Sequence, residues 1–161
     1  MTIGAQCAAL ACFALGLPLS GRPLRAWQGC LAALVCCACV AASLPVSRAY
    51  ADMAIRICLL TAIGNAAATY PPWKVSAPVA TIASAFTGIA AGAAIAAAGA
   101  PLEIAQALPC TLAAGVLAHA LRAHAAVAVR VVASWLIAIA LLALLLQFLP
   151  MTPGYLPDHI D

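Results

Sequence analysis

The chain is written as a series of apolar runs, each about as long as a bilayer-spanning helix and most closed by proline. A helix needs roughly 17 to 25 apolar residues to cross the hydrocarbon core of a membrane. Such runs fall at 3–20, 26–44, 53–70, 75–100, 102–123 and 131–149. Gly21-Arg22-Pro23 closes the first, Pro45 the second, Pro71-Pro72 the third, Pro101 the fourth and Pro150 the last. Proline lacks a backbone donor and cannot continue a helix, so these are natural ends. The expected fold is all-α: a polytopic transmembrane helical bundle of six helices over residues 1–150, then a short proline-containing tail over 151–161. The alternative is five helices plus one interfacial segment, 53–70.

Composition supports the same class. Apolar residues make up 67% of the chain and charged residues 7%, against about a quarter charged in an ordinary soluble domain. Too little polar surface remains to face water, so lipid is the expected solvent and partner. The net charge of +3 comes from seven basic and four acidic residues scattered between apolar runs, with no cluster able to follow phosphates, which argues against nucleic-acid binding. Nearly all eight cysteines lie inside apolar runs, where a thiol behaves as a small hydrophobe rather than as part of a disulfide framework. No basic residue precedes the first run, and no clear small-x-small cleavage site follows it. The first run therefore reads as a retained helix rather than a removable signal peptide.

Orientation follows from Lys and Arg, which stay on the cytoplasmic side. Six helices with the N-terminus outside put Arg22, Arg25, Lys74, Arg122 and Arg130 inside, against Arg48 and Arg56 outside. Five helices with the N-terminus inside put Arg48, Arg56, Lys74, Arg122 and Arg130 inside. Both give the same bias, and both leave Glu103 and the tail outside. The six-helix solution is preferred because 53–70 is long enough to cross and Arg56 lies one turn from its end, where it can snorkel. Tyr50, Tyr70, Trp27, Trp73 and Tyr155 fall near the expected helix ends, as amphipathic rings do at a membrane interface. Leu24-Arg25-Ala26 recurs as Leu121-Arg122-Ala123 without matching flanks, so no internal repeat is inferred.

Three features carry the candidate chemistry. On the fourth run Ala80, Ser84, Gly88, Gly92, Ala96 and Ala100 recur every four residues and include a GxxxG step, a ridge that lets another helix approach closely. Packing inside the bundle is its first reading, and an oligomer contact is the second. Cys36, Cys37 and Cys39 sit near the middle of the second run, with Cys12 at similar depth on the first. Soft thiolates suit a thiophilic metal, although burying a thiolate in lipid needs a cation to offset it. Cysteine as a small packing residue is the competing reading, and Cys36 to Cys39 lacks the histidine of a covalent haem motif. The third feature is the set of ionisable and amide residues in or beside helices, which are costly in a membrane. Asp52 and Arg56 are four apart and can pair. Asn65 lies deeper, while Glu103 and His119 stand near opposite ends of the fifth run, with Pro109 able to kink it between them. Arg56, Asn65, Glu103 and His119 are thus transport-path candidates, with solvated helix ends as the plainer account.

Other chemistries find no support. His119 and His124 share one segment and His159 lies in the tail, so no cross-helix pair exists to hold a b-type haem. No serine or cysteine forms a nucleophile motif with His119, which makes an enzyme the weaker expectation. Asp158, His159 and Asp161 in the tail offer too few ligands for a firm cation site. No cofactor is favoured. The leading expectation is a small protein of a bacterial cytoplasmic membrane, an accessory or structural subunit held to itself or to a larger complex. A small permease for a cation or thiophilic metal is the alternative, and an intramembrane redox enzyme a distant third.

Overall fold

The computed structural model describes residues 2–19, 23–44, 47, 50–70, 76–98, 104–124 and 126–149. Every regular element among them is helical: α1 (Ile3–Leu19), α2 (Leu24–Ser43), α3 (Ala51–Ala67), α4 (Ala77–Ala97), α5 (Ile104–Ala107), α6 (Pro109–His124) and α7 (Ala126–Leu146). Three stretches are long and apolar enough to cross a membrane: Arg25–Ser43, Ala77–Ala97 and Val127–Leu146. Ile3–Leu19 and Ala105–Ala120 are apolar but shorter. Length and apolarity together thus qualify three of the six expected spans.

Local chemistry sets the ends. Thr2 opens α1 by accepting the Ala5 amide on its hydroxyl at 3.4 Å, an N-cap that satisfies one of the donors a helix start leaves bare. Pro23 and Pro78 stand at the starts of α2 and α4, where a missing amide costs nothing. α3 closes with tightened turns, Thr69 N donating to Ala66 O at 3.1 Å and Tyr70 N to Ala67 O at 3.1 Å. The expected fifth helix is two. Pro109 has no amide and disfavours helical geometry at Leu108, so α5 stops at Ala107 and α6 starts on the proline itself. α7 starts at Ala126, ahead of the expected 131, which places Arg130 within the helix rather than in the preceding loop.

α1 is the hub. It packs against α3, α4, α5, α6 and α7, and its buried residues, from Gly4 and Ala5 to Leu17 and Leu19, occupy most of its circumference. Alanine and glycine make this possible by keeping the helix thin. α2 lies outside α4 and makes its most extensive packing there, with Gly88 and Gly92 as the contact points. A Cβ at Gly88 would strike Leu34 O, and one at Gly92 would strike Ala38 O and reach within 2.8 Å of Ala41 Cβ. The small-residue ridge is therefore covered by α2 of the same chain. Ser84, on that ridge, is fully buried and returns its hydroxyl to Ala80 O at 2.8 Å.

α3 and α7 run antiparallel, with a polar contact at each end of the pair. The Arg56 guanidinium lies over the Phe148 ring, 4.6 Å from its centroid. At the other end Tyr70 donates its hydroxyl to Arg130 O at 3.1 Å. Between these points α7 buries only a narrow stripe, Val129, Ala133 and Ala140, and leaves Trp135, Leu142 and Leu145 exposed.

Candidate functional site

The polar side chains inside the bundle are few, and the structure separates most of those expected to act together. Asn65, in the last turn of α3, is buried and donates Nδ2 to Thr87 Oγ1 of α4 at 2.9 Å. Thr87 passes its own proton to Ala83 O at 2.7 Å. With that proton committed, Thr87 can only accept from Asn65. The network thereby fixes which end of the amide faces which way, an assignment that otherwise rests on convention. Oδ1 takes no hydrogen bond from the described residues.

Beside this pair the outer sides of α3 and α4 diverge into a groove of about 580 Å³, lined by Ile57, Leu60, Gly64, Asn65, Ile82 and Phe86 among others. It leads toward Tyr50 and Met53 into a second hollow of about 300 Å³ that shares Ile57 and Phe86 with it. Nearly all of the lining is apolar. Gly64 forms an open part of the wall, with nothing within 4 Å of where its Cβ would stand.

Arg56 does not pair with Asp52. Its guanidinium turns to α7, where the face of Phe148 attracts it, while Asp52 stays exposed in the first turn of α3, a favourable place for a negative charge. Arg56 Nε and Gln147 Oε1 are both buried without a hydrogen-bond partner. Arg56 and Asn65 are nine residues apart on α3, roughly 13 Å along its axis, and reach toward different helices. His119 is exposed on α6, and Glu103 lies outside the described residues, as does the tail 151–161 with Asp158, His159 and Asp161. Among the described residues, then, the expected transport-path groups do not converge.

The thiols are dispersed as well. Cys12 is fully buried on α1, Cys36 and Cys39 are exposed on the outward side of α2, and Cys37 is half-buried against Gly88. Cys12 packs in the interior in one cluster with Cys30 and Leu34 of α2, whereas Cys36 and Cys39 on that helix are exposed. Among the described residues no group of three or more His, Cys, Asp or Glu side chains is arranged to hold a metal ion. A different set of sulfurs lies closer to the centre. Cys58 of α3 and Cys7 of α1 share one core cluster, and Cys12 neighbours Thr111 and Cys110 beside the α5–α6 break. The Thr111 side chain is fully buried beside Cys12. Cys110 donates its thiol back to Gln106 O at 3.6 Å, across the break.

Sequence reasoning singled out Asn65 but missed Thr87, Thr111 and Cys58. A usable signal existed for Thr87, because hydroxyl and amide residues on apolar helices tend to find each other across a helix pair. Compared with known protein families, curated proteins and solved structures, the chain matches none.

Proposed function

We propose that the chain is a six-span protein of a bacterial cytoplasmic membrane, with its C-terminal end outside, acting as a small accessory or structural subunit of a membrane complex. The observation that carries the crossing is the pairing of α3 with α7. A helix lying flat at the interface would meet α7 near one end, whereas α3 touches it through Arg56 at one end and Tyr70 at the other. Contact at both ends supports an upright α3 beside a helix that is long and apolar enough to cross. Its modest length is compatible with local thinning and snorkelling of Arg56. Under the charge bias of the sequence, Arg130 lies inside and Arg56 outside.

The subunit reading is supported by the distribution of surface. The GxxxG ridge serves the chain's own α2–α4 contact, so a partner would meet the exposed faces of α7 or α2 instead, where Trp135, Leu142 and Val40 project. Two measurements test the proposal. A membrane-impermeant maleimide should label Asp52→Cys only from outside and Ser76→Cys only from inside; labelling of both from one side would refute the six-span arrangement. Cross-linking in native membranes should recover oligomers or a larger complex, and lone monomers would refute the subunit role.

A second reading, a small permease for a cation, is favoured by one observation. The α5–α6 break at Leu108 lies level with Cys12, midway along the hub helix, with the buried Thr111 side chain beside it. Interrupted helices at mid-depth are how several transporter folds expose backbone groups to an ion. Uptake of silver ion into vesicles that is unchanged in Thr111→Val and Cys12→Ala variants would remove this reading.

A further inference from the structure

Two polar groups lie deep along the helices without a complement, and each supplies what the other lacks. Asn65 is 7% exposed on the wall of the α3–α4 groove. Its Nδ2 donates to Thr87, the central residue of α4, so the pair stands near mid-membrane. Asn65 Oδ1 has no donor among the described residues, and the bilayer core holds no water to supply one. Trp135, one residue from the centre of α7, is 69% exposed. Tryptophan on a span is usually found at the interface, where its N–H meets water. Here nothing among the described residues accepts that N–H. An indole nitrogen only donates, and an amide oxygen only accepts. The two groups also share a level: between the Arg56–Phe148 and Tyr70–Arg130 contacts of α3 with α7, Asn65 falls about opposite Leu136.

We propose that α7 of a second copy docks on the α3–α4 groove, its Trp135 indole inserted and Nε1–H donating to Asn65 Oδ1. Within one chain the two do not meet, because α7 buries Val129, Ala133 and Ala140 in the core cluster of Cys58 and Leu59 and leaves Trp135 exposed. Copies inserted under one charge bias share an orientation. Each residue therefore keeps its depth from copy to copy, and donor and acceptor arrive at the same level. The groove, of about 580 Å³, has room for an indole. It is open at Gly64, where nothing stands within 4 Å of a Cβ, so a helix can come close. An aromatic anchor seated in a pocket is where interfaces concentrate their energy. The contact joins two different surfaces, so it is head-to-tail and builds a ring or a row rather than a twofold pair. The proposal rests on the membrane-subunit reading above and names the partner as the chain itself.

The test measures energy transfer between full-length chains carrying donor or acceptor dyes on the N-terminal amine, at increasing dilution in phosphatidylcholine vesicles. Trp135→Phe keeps a ring without the donor and should weaken association about threefold, at most about twentyfold, the worth of one hydrogen bond between membrane helices. Trp135→Ala removes the anchor, and Gly64→Leu fills the groove from open space. Each should weaken association about thirtyfold or more. Trp135 is exposed, so its variants should unfold at the wild-type temperature. Donor-labelled Trp135→Ala mixed with acceptor-labelled Gly64→Leu should recover transfer, because the first keeps the groove and the second keeps the indole. In native membranes, benzoylphenylalanine at Leu142, two turns from Trp135 and also exposed, should cross-link to α3 or α4 of another copy. Unchanged association in Trp135→Ala, no transfer in the mixture, or capture of a different protein at Leu142 would overturn the proposal and leave the subunit reading standing. Lone monomers in native membranes would overturn both.

Discussion

Trp27 occupies the space that a side chain on Gly115 would need: a Cβ there would collide with the indole ring. The same indole donates Nε1 to Leu19 O at 2.8 Å, one of the carbonyls that the end of α1 leaves without a helical partner. One side chain thus joins the end of α1, the start of α2 and the flank of α6. Its place near a helix end, expected of an interfacial aromatic, is set at least as much by these contacts. Gly115→Ala should destabilise the protein by about 1–3 kcal/mol, the usual cost of overpacking. Trp27→Phe should lose the Leu19 bond, about 1 kcal/mol. The two effects should be non-additive in thermal unfolding in detergent, because both act through one ring.

The ridge gives a paired prediction. Gly88→Ala should be destabilising by about 1–3 kcal/mol, because the added Cβ on α4 would strike Leu34 O and α2 must retreat from it. Gly64→Ala on α3 meets nothing within 4 Å and should stabilise by about 0.5–1 kcal/mol through the helix preference of alanine. Equal effects at the two sites, read from denaturation midpoints, would be inconsistent with the α2–α4 contact.

Asn65 and Thr87 should behave as a unit. A double-mutant cycle with Asn65→Val and Thr87→Val is expected to return a coupling of about 0.6 kcal/mol, with an upper bound near 1.7 kcal/mol, the range found for hydrogen bonds between membrane helices. Thr87→Ser keeps the hydroxyl and should retain most of that coupling.

The cysteines offer a direct check on which faces point outward. A photoactivatable hydrophobic diazirine partitioned into the bilayer should label Cys36 and Cys39 and leave Cys12 and Cys58 unlabelled until the protein is denatured, because the first two are exposed and the second two sealed. Peptide mapping after brief labelling reads this out. Early modification of Cys58 would contradict the close packing of α1 on α3.

Where helices begin and end was partly legible, because Pro23 and Pro109 act through a missing amide and a fixed φ that need no tertiary context. Even the division of the fifth run followed from Pro109, although a kink rather than a full break was expected. α7 was less legible: Arg130 looks like loop chemistry in sequence, yet it lies on an exposed side of a helix, where its charge reaches water. The interior was harder still. In a soluble helix the buried face shows as an apolar stripe, but here every face is apolar, so nothing in α1 distinguished a hub from a lipid-facing helix. For the same reason Cys36 and Cys39 could not be told apart from Cys12 and Cys58. The Asn65–Thr87 bond depended on the register of α3 against α4, which neither helix states alone.

The central position of α1 bears on how the protein is assembled in a cell. α1 is synthesised before every helix that surrounds it, and the last of them, α6 and α7, lie some hundred residues further along the chain. Until they insert, α1 must reside in lipid or under another protein's protection, kept there by its own apolarity. A chain halted after α4 would hold a half-enclosed core, with the sides of α1 that later meet α5, α6 and α7 still uncovered.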